Sequence, residues 1–303
     1  MPGVVQAVVV HGGAGRWPQD RARIERVLAV LEEACRTGLE AGDPVDAVVE
    51  AVAVMEDSGV LNAGVGSVLN LRGEREMDAG VMDGRSMKAG AVALVRYPRN
   101  PVRLARHVME GSRHTIIAGE AADKLAIKLG MPRIPPPPEH VLERYKKALA
   151  GHKPDKLDDL LGDTVGAVAL DETGLAAATS TGGLMLKTPG RIGDSPVPGS
   201  GFYADDTIAG SATGIGDKIL LAQPLARLAQ DTRRQGLFEA ARELDSTLRR
   251  YKLEGTLGLI ALTRQGEALV YNNTPGIAVA WCTRHDTFRG MLGTGITLTR
   301  LRV

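Results

Sequence analysis

Thr164 follows Gly162 and Asp163 at the head of the apolar run "TVGAVALD". A threonine hydroxyl is a poor nucleophile unless a base stands beside it, and the α-amino group of an N-terminal threonine can be that base. The amine has a reference pKa of ~7.7–8.0, so a neutral fraction exists near pH 7. Thr164 is internal, and this chemistry requires the Asp163–Thr164 bond to be cut first. By itself Thr164 reads as a β-branched residue opening a strand.

Its neighbours add to that reading. "TSTGG" places Thr179 and Thr181 at the end of the next strand, where they return towards Thr164 across a hairpin. "GRIGDSP" places Arg191 and Asp194 three apart on a Gly- and Pro-bounded turn. Such a pair can hold a zwitterion, the guanidinium taking a carboxylate and the carboxylate an ammonium; otherwise it is a surface ion pair of little worth. "GSATGIGD" is a Gly-rich turn before a helix at about Asp217. Its main-chain N–H groups suit a developing oxyanion, although an ordinary loop closed by an N-cap Asp has the same letters. His11 adjoins a Gly-rich loop and reads as its packing or hydrogen-bonding partner. Phosphate-loop, dinucleotide, zincin and nucleophile-elbow signatures are absent from the sequence.

The elements that would carry these residues follow from periodicity. The N-terminal run "VVQAVVV" is a first strand. Ile24, Val27, Leu28, Leu31 and Cys35 recur at helical spacing, as do Val45, Val48, Val49 and Val52 behind an Asp43–Pro44 start. Short apolar runs from Gly66 to Val95 read as hairpin strands, and helices are expected near 101–110 and 119–129. Residues 131–163, with four consecutive prolines and many charges, read as a flexible linker. Beyond Thr164 come hairpins, helices over about 217–232 and 237–252, and further hairpin strands. Antiparallel sheets with helices bunched on either side imply an α+β fold with four layers, αββα.

The 303 residues suffice for a substantial core, and 37 basic against 36 acidic side chains give no electrostatic footprint for nucleic acid or an acidic membrane. Small molecules or protein surfaces are the expected partners. Cys35 and Cys282 lie far apart in sequence and outside any C-x-x-C pattern, which argues against a disulfide framework or a zinc site. No signal peptide or membrane-spanning run is evident, and a cytoplasmic location is expected.

Taken together and in order, "HGGAG" (11–15), "LNAGVGSVLN" (61–70), "MDAGVMDG" (77–84), "GDTVGAVALD" (162–171), "AAATSTGG" (176–183), "GRIGDSP" (190–196), "GSGFYADD" (199–206) and "SATGIGD" (211–217) resemble the plant-type asparaginase/isoaspartyl peptidase family of N-terminal nucleophile hydrolases. The resemblance implies a single αββα domain, 1–303, that cuts itself into an α chain, 1–163, and a β chain, 164–303. Thr164 would be the nucleophile, with Thr181 hydrogen bonding to it and Asn62 nearby. Arg191 would hold the substrate α-carboxylate and Asp194 its α-ammonium, while Thr213 and the N–H of Gly214 form the oxyanion hole. The strand-loop from His11 to Gly15 would move during maturation. No catalytic cofactor is implied. A structural sodium ion would sit on main-chain carbonyls of about Met55, Glu56, Ser58, Leu61, Ala63 and Val65, and cleaved αβ units would pair as a dimer.

The clamp leaves a side-chain amide facing Thr164, so L-asparagine and β-aspartyl peptides are the expected substrates. Asp217 stands where isoaspartyl peptidases usually have Glu, and "YADD" is similar to glycosylasparaginases, so leaving-group preference stays open. Two other readings remain at this point: a glycosylasparaginase-like amidase, and a non-maturing amino-acid-binding protein of the same fold.

Overall fold

The computed structural model describes residues 4–17, 20–151 and 164–303. Strand β1 (Ala7–Gly15) leads into helices α1 (Arg21–Leu39) and α2 (Pro44–Asp57), the hairpin β2 (Met77–Asp83) and β3 (Lys88–Val95), and helix α3 (Pro101–Gly111). The short strand β4 (Ile116–Ala118) and helices α4 (Gly119–Lys128) and α5 (Glu139–Ala150) follow. After Thr164 come strands β5 (Val165–Leu170), β6 (Leu175–Thr181), β7 (Phe202–Ala204) and β8 (Ile208–Gly214). Helices α6 (Gly216–Ala222), α7 (Pro224–Gln235) and α8 (Leu237–Arg250) precede strands β9 (Leu257–Thr263), β10 (Glu267–Asn272), β11 (Gly276–Thr283), β12 (Thr287–Leu292) and β13 (Gly295–Arg300).

Local chemistry explains the boundaries. Asp20 accepts hydrogen bonds from the amides of Ala22 and Arg23 at the start of α1, and Asp43 accepts from Asp46 N at 2.8 Å with Pro44 in the first turn of α2. The single helix expected over 217–232 is instead two, because Gln223 takes a left-handed conformation (φ 47°) and Pro224, with no N–H, starts a new helix.

The expected linker is corrected in part. Of residues 131–163, those to 151 are described, and they include α5, whose Val141 is buried and whose Tyr145 and Ala148 pack on Val68, Met185 and Leu186. An amphipathic stretch with one apolar stripe found a surface to bury it. The remainder, including the Asp163 side of the proposed scissile bond, lies outside the described residues.

Helices and two sheets make this an α+β protein. One sheet has eight strands in the order β12-β11-β1-β5-β6-β2-β3-β4, antiparallel except for the β3–β4 pair. The other has five antiparallel strands, β13-β10-β9-β8-β7. Strand alternation divides the core. Val8 and Val10 of β1 join residues of α1 to α4 such as Leu31, Val48, Leu104 and Ala122. Ala7 and Val9 point the other way and meet Ile260 and Leu262 of β9. On the opposite face of β9, Leu259 and Ala261 join Leu228 of α7 and Leu244 of α8. Each fully buried Val or Leu contributes roughly 1.5–3 kcal/mol relative to exposure.

The two sheets approach closely below Thr164. A Cβ on Gly166 would lie 1.9 Å from Ser211 Oγ and 2.5 Å from His11 Nε2, so only glycine fits there. His11 Nε2 and Ser211 Oγ are 2.7 Å apart, linking β1 of the large sheet to β8 of the small one.

Candidate active site

Thr164 immediately precedes β5 and is buried, 4 % exposed. The β5–β6 register pairs Val165 with Ser180 and Gly166 with Thr179. That pairing carries Thr181, the last residue of β6, to the level of Thr164. From the second sheet, β8 ends in Thr213 and Gly214, and the Thr164 main-chain N donates to Thr213 Oγ1 at 3.2 Å. A loop-borne residue also approaches the nucleophile candidate: Ser195 Oγ lies 3.5 Å from Thr164 Oγ1. Ser195 is held by its own carbonyl, which accepts from Thr179 Oγ1 at 2.8 Å.

Thr181 Oγ1 accepts from Gly183 N at 3.0 Å. Thr181 thereby shapes the Gly182–Gly183 turn, and it lines the same cleft as Thr164. Asn62 braces that turn. Its Nδ2 donates to Gly183 O at 2.8 Å, its Oδ1 accepts from Val68 N at 2.9 Å, and its main-chain O accepts from Gly182 N at 3.0 Å.

Arg191 and Asp194 reach the cleft together, but they do not form a simple pair. A Cβ on Gly216 would lie 2.6 Å from Asp194 Oδ1 and 2.8 Å from Arg191 Nη2, so both head groups crowd one glycine at the start of α6. Arg191 Nη2 donates to Asp217 Oδ2 at 2.6 Å and its Nε to the same oxygen at 3.1 Å. Asp194 is 3 % exposed and its Oδ2 has no hydrogen-bond partner. Burial pushes its carboxyl up to about 7, although the Arg191 charge pulls the other way. An unpaired buried carboxylate oxygen beside a cleft is a place for a ligand's cation. Thr164, Thr181, Arg191, Asp194, Ser195 and Gly214 thus line one small, tight cleft.

These residues come from distant parts of the chain, and the chain as a whole matches a known family: the asparaginase family fits residues 4–291. The chain belongs to the asparaginase family. It is 45 % identical over 289 residues to the plant-type L-asparaginase of Pyrobaculum calidifontis, covering 90 % of this chain and 96 % of that one. It is 44 % identical over 277 residues to the isoaspartyl peptidase/L-asparaginase of Danio rerio, with 87 % of each covered. The human isoaspartyl peptidase/L-asparaginase is 44 % identical over 273 residues, covering 86 % of this chain and 87 % of its own.

In this asparaginase-family chain, a buried charge cluster underlies the cleft. Lys187, 1 % exposed, donates from Nζ to Glu76 O at 2.8 Å, and Asp78, opposite Thr181 in the β2–β6 pair, accepts from Leu94 N at 2.8 Å. Burial lowers the Lys187 pKa and raises that of Asp78, while each group's charge opposes the shift of the other. Neither residue, nor Ser195, is singled out by sequence reasoning. Lys187 and Ser195 sit inside apolar or Pro-bounded runs between β6 and β7, and only the tertiary course of that loop places them under and beside the cleft. His11 is buried beneath the cleft, and burial lowers its pKa to about 3, so the imidazole is neutral near pH 7.

In the loop named for a sodium ion, two glycines lie close against main-chain carbonyls. A Cβ on Gly66 would lie 2.2 Å from Leu61 O and 2.7 Å from Gly59 O, and one on Gly64 would lie 2.6 Å from Glu56 O. Met55 O accepts from Ser58 Oγ, Leu61 O from Ala63 N, Ala63 O from Gly66 N, and Val65 O from Arg75 Nη1. Each of these carbonyls keeps a second lone pair. Main-chain oxygens are the donor type that a hard cation takes. The Glu56 side chain is directed elsewhere, accepting from Val102 N at 3.0 Å at the start of α3. Among the described residues, no cluster of His, Cys, Asp and Glu could hold a metal, and no helix is long and apolar enough to cross a membrane.

Proposed function

We propose that this chain is a self-cleaving amidohydrolase that converts L-asparagine to aspartate and ammonia, and β-aspartyl dipeptides to aspartate and an amino acid. The observation that carries this reading is the convergence of Thr164 with Arg191 and the unpaired carboxylate of Asp194 in one small cleft. The names of the relatives, plant-type L-asparaginase and isoaspartyl peptidase/L-asparaginase, agree with it.

In the first step Thr164 Oγ1 attacks the Asp163 carbonyl, the amide becomes an ester, and water releases residues 1–163 from 164–303. The freed α-amine stays where Thr213 Oγ1 already accepts a hydrogen bond from the same nitrogen. In turnover, Arg191 takes the substrate α-carboxylate and Asp194 its α-ammonium, presenting the side-chain carbonyl to Thr164. The amine accepts the hydroxyl proton as Oγ1 attacks, and Thr213 with the Gly214 N–H stabilises the oxyanion. The leaving ammonia or amino acid departs with that proton, and water hydrolyses the Thr164 ester to release aspartate.

The arrangement that goes with this chemistry is a four-layer αββα sandwich, to which the three buried clusters lend support. A sodium ion on the 55–65 carbonyls would stiffen the loop that carries Asn62. The proposed working form is a cytoplasmic dimer of cleaved αβ units. Intact-mass spectrometry of the purified protein tests the central claim: two species beginning at Met1 and Thr164 are expected, and Thr164→Ala should leave a single inactive chain. Wild-type hydrolysis by that variant would overturn the assignment of the nucleophile.

A further inference from the structure

Cys35 on α1 and Cys282 on β11 are both fully buried. Cys35 Sγ donates to Val8 O at 3.2 Å, and Val8 stands directly opposite Cys282 in the β1–β11 pair. Opposed residues of an antiparallel pair present their side chains to the same face. Val8, Cys35 and Cys282 all belong to the cluster between that face and the helices. The two thiols therefore face the same helix-sheet interface as neighbours, close enough for each to shift the other's titration. Sequence spacing alone argued against any pairing, yet the fold brings together residues that lie on opposite sides of the Asp163–Thr164 bond.

We propose that Cys35 and Cys282 form a latent disulfide site which, on oxidation by a hydroperoxide, ties residues 1–163 covalently to residues 164–303. The tie between separate chains rests on the self-cleavage reading above; the bond itself does not. In the reaction a thiolate attacks hydrogen peroxide, forming a sulfenic acid and releasing hydroxide. The second thiol then displaces the sulfenic oxygen as water. Two thiols and one peroxide give one disulfide and two waters. Cys282 is the sulfur suited to begin, because the neighbouring Cys35 and Thr287 favour its thiolate, whereas burial holds Cys35, whose S–H is given to Val8 O, protonated as the resolving partner. The dry helix-sheet interface in which both thiols are buried excludes bulky disulfide reagents. Neither cysteine lines the cleft that contains Thr164.

The test uses the full-length protein purified under reductant. It is freed of reductant, exposed to hydrogen peroxide while folded, quenched, and unfolded in N-ethylmaleimide. Intact mass should show alkylation falling from two groups to none, with the covalent species lighter by two hydrogens. On a denaturing gel the two fragments should migrate as one band until reductant is added. Cys35→Ala and Cys282→Ala, each shown to be folded by circular dichroism, should abolish the band. Two alkylated thiols after peroxide treatment would overturn the proposal, as would oxygen addition at Cys282 without cross-linking. An uncut chain would refute self-cleavage instead, because thiol count and mass still report the bond.

Discussion

The hydroxyls of Thr164 and Ser195 stand 3.5 Å apart, with both residues buried and Ser195 fixed by the Thr179 hydroxyl on the neighbouring strand. In the proposed mechanism Ser195 is the side chain placed to orient Thr164 Oγ1, in a cleft where water does not compete freely. One neutral hydrogen bond of ~1 kcal/mol corresponds to about fivefold in rate. Ser195→Ala should lower kcat for asparagine by about that factor while KM stays within about twofold. An unchanged kcat would remove Ser195 from the positioning role.

Thr213 receives the Thr164 N–H and is the penultimate residue of β8, whose last residue, Gly214, lines the cleft. Thr213→Val keeps the β-branched shape but removes the hydroxyl. Loss of one oxyanion donor costs about 10²–10³ in kcat, and a loss of that order is expected in steady-state assays. A decrease confined to KM would assign Thr213 to substrate binding alone.

Arg191 offers its guanidinium to Asp217, whose side chain is 57 % exposed. An ion pair so open to solvent is worth roughly 0.2–1 kcal/mol. A substrate carboxylate must displace or share that contact, so Asp217→Asn should lower KM for asparagine by up to about fivefold, with kcat little changed. A raised KM would mean that Asp217 instead orients Arg191 for binding.

Burial raises the Asp194 carboxyl to about 7, and two opposite pH effects follow. Below about pH 7 the group becomes neutral and loses its hold on an ammonium, so KM for asparagine should climb as pH falls from 7 to 5. For stability the sign reverses. The folded state keeps the proton that the unfolded chain releases near ~3.9, so stability falls as pH rises from about 4 to 7 and levels off above. Urea midpoints at pH 5 and 8 should show this slope in the wild type and a shallower one in Asp194→Asn. Identical slopes would mean that the charged form is already compensated in the folded state.

The curled loop at residues 55–66 should respond to sodium. Thermal midpoints are expected to be higher in sodium chloride than in choline chloride at equal ionic strength, because an ion that binds only the folded state stabilises it by mass action. Equal midpoints would remove the ion from the reading.

Local chemistry wrote much of this architecture into the chain. The Asp43–Pro44 start of α2, the strand alternation of β1, and the β5–β6 hairpin that returns Thr181 to Thr164 are each determined by neighbours within a few residues. Composition was a poorer guide at 131–151, where prolines and charges concealed a helix whose single apolar stripe needed Val68, Met185 and Leu186 before it had a place to pack. The same limit applies at Gln223, where a left-handed residue divides one expected helix into two.

The site divides along the same line. Residue types and order alone determined the Thr164 nucleophile candidate, the Arg191 and Asp194 pair, and the family to which they point. Tertiary structure alone decided that Ser195 comes within 3.5 Å of the Thr164 hydroxyl, that Asp217 occupies Arg191, and that Cys35 and Cys282 share one interface. A hydrogen-bond partner or a pKa depends on which groups share a few ångströms of low-dielectric space. Sheet register and helix packing, acting between residues up to hundreds of positions apart, choose those groups.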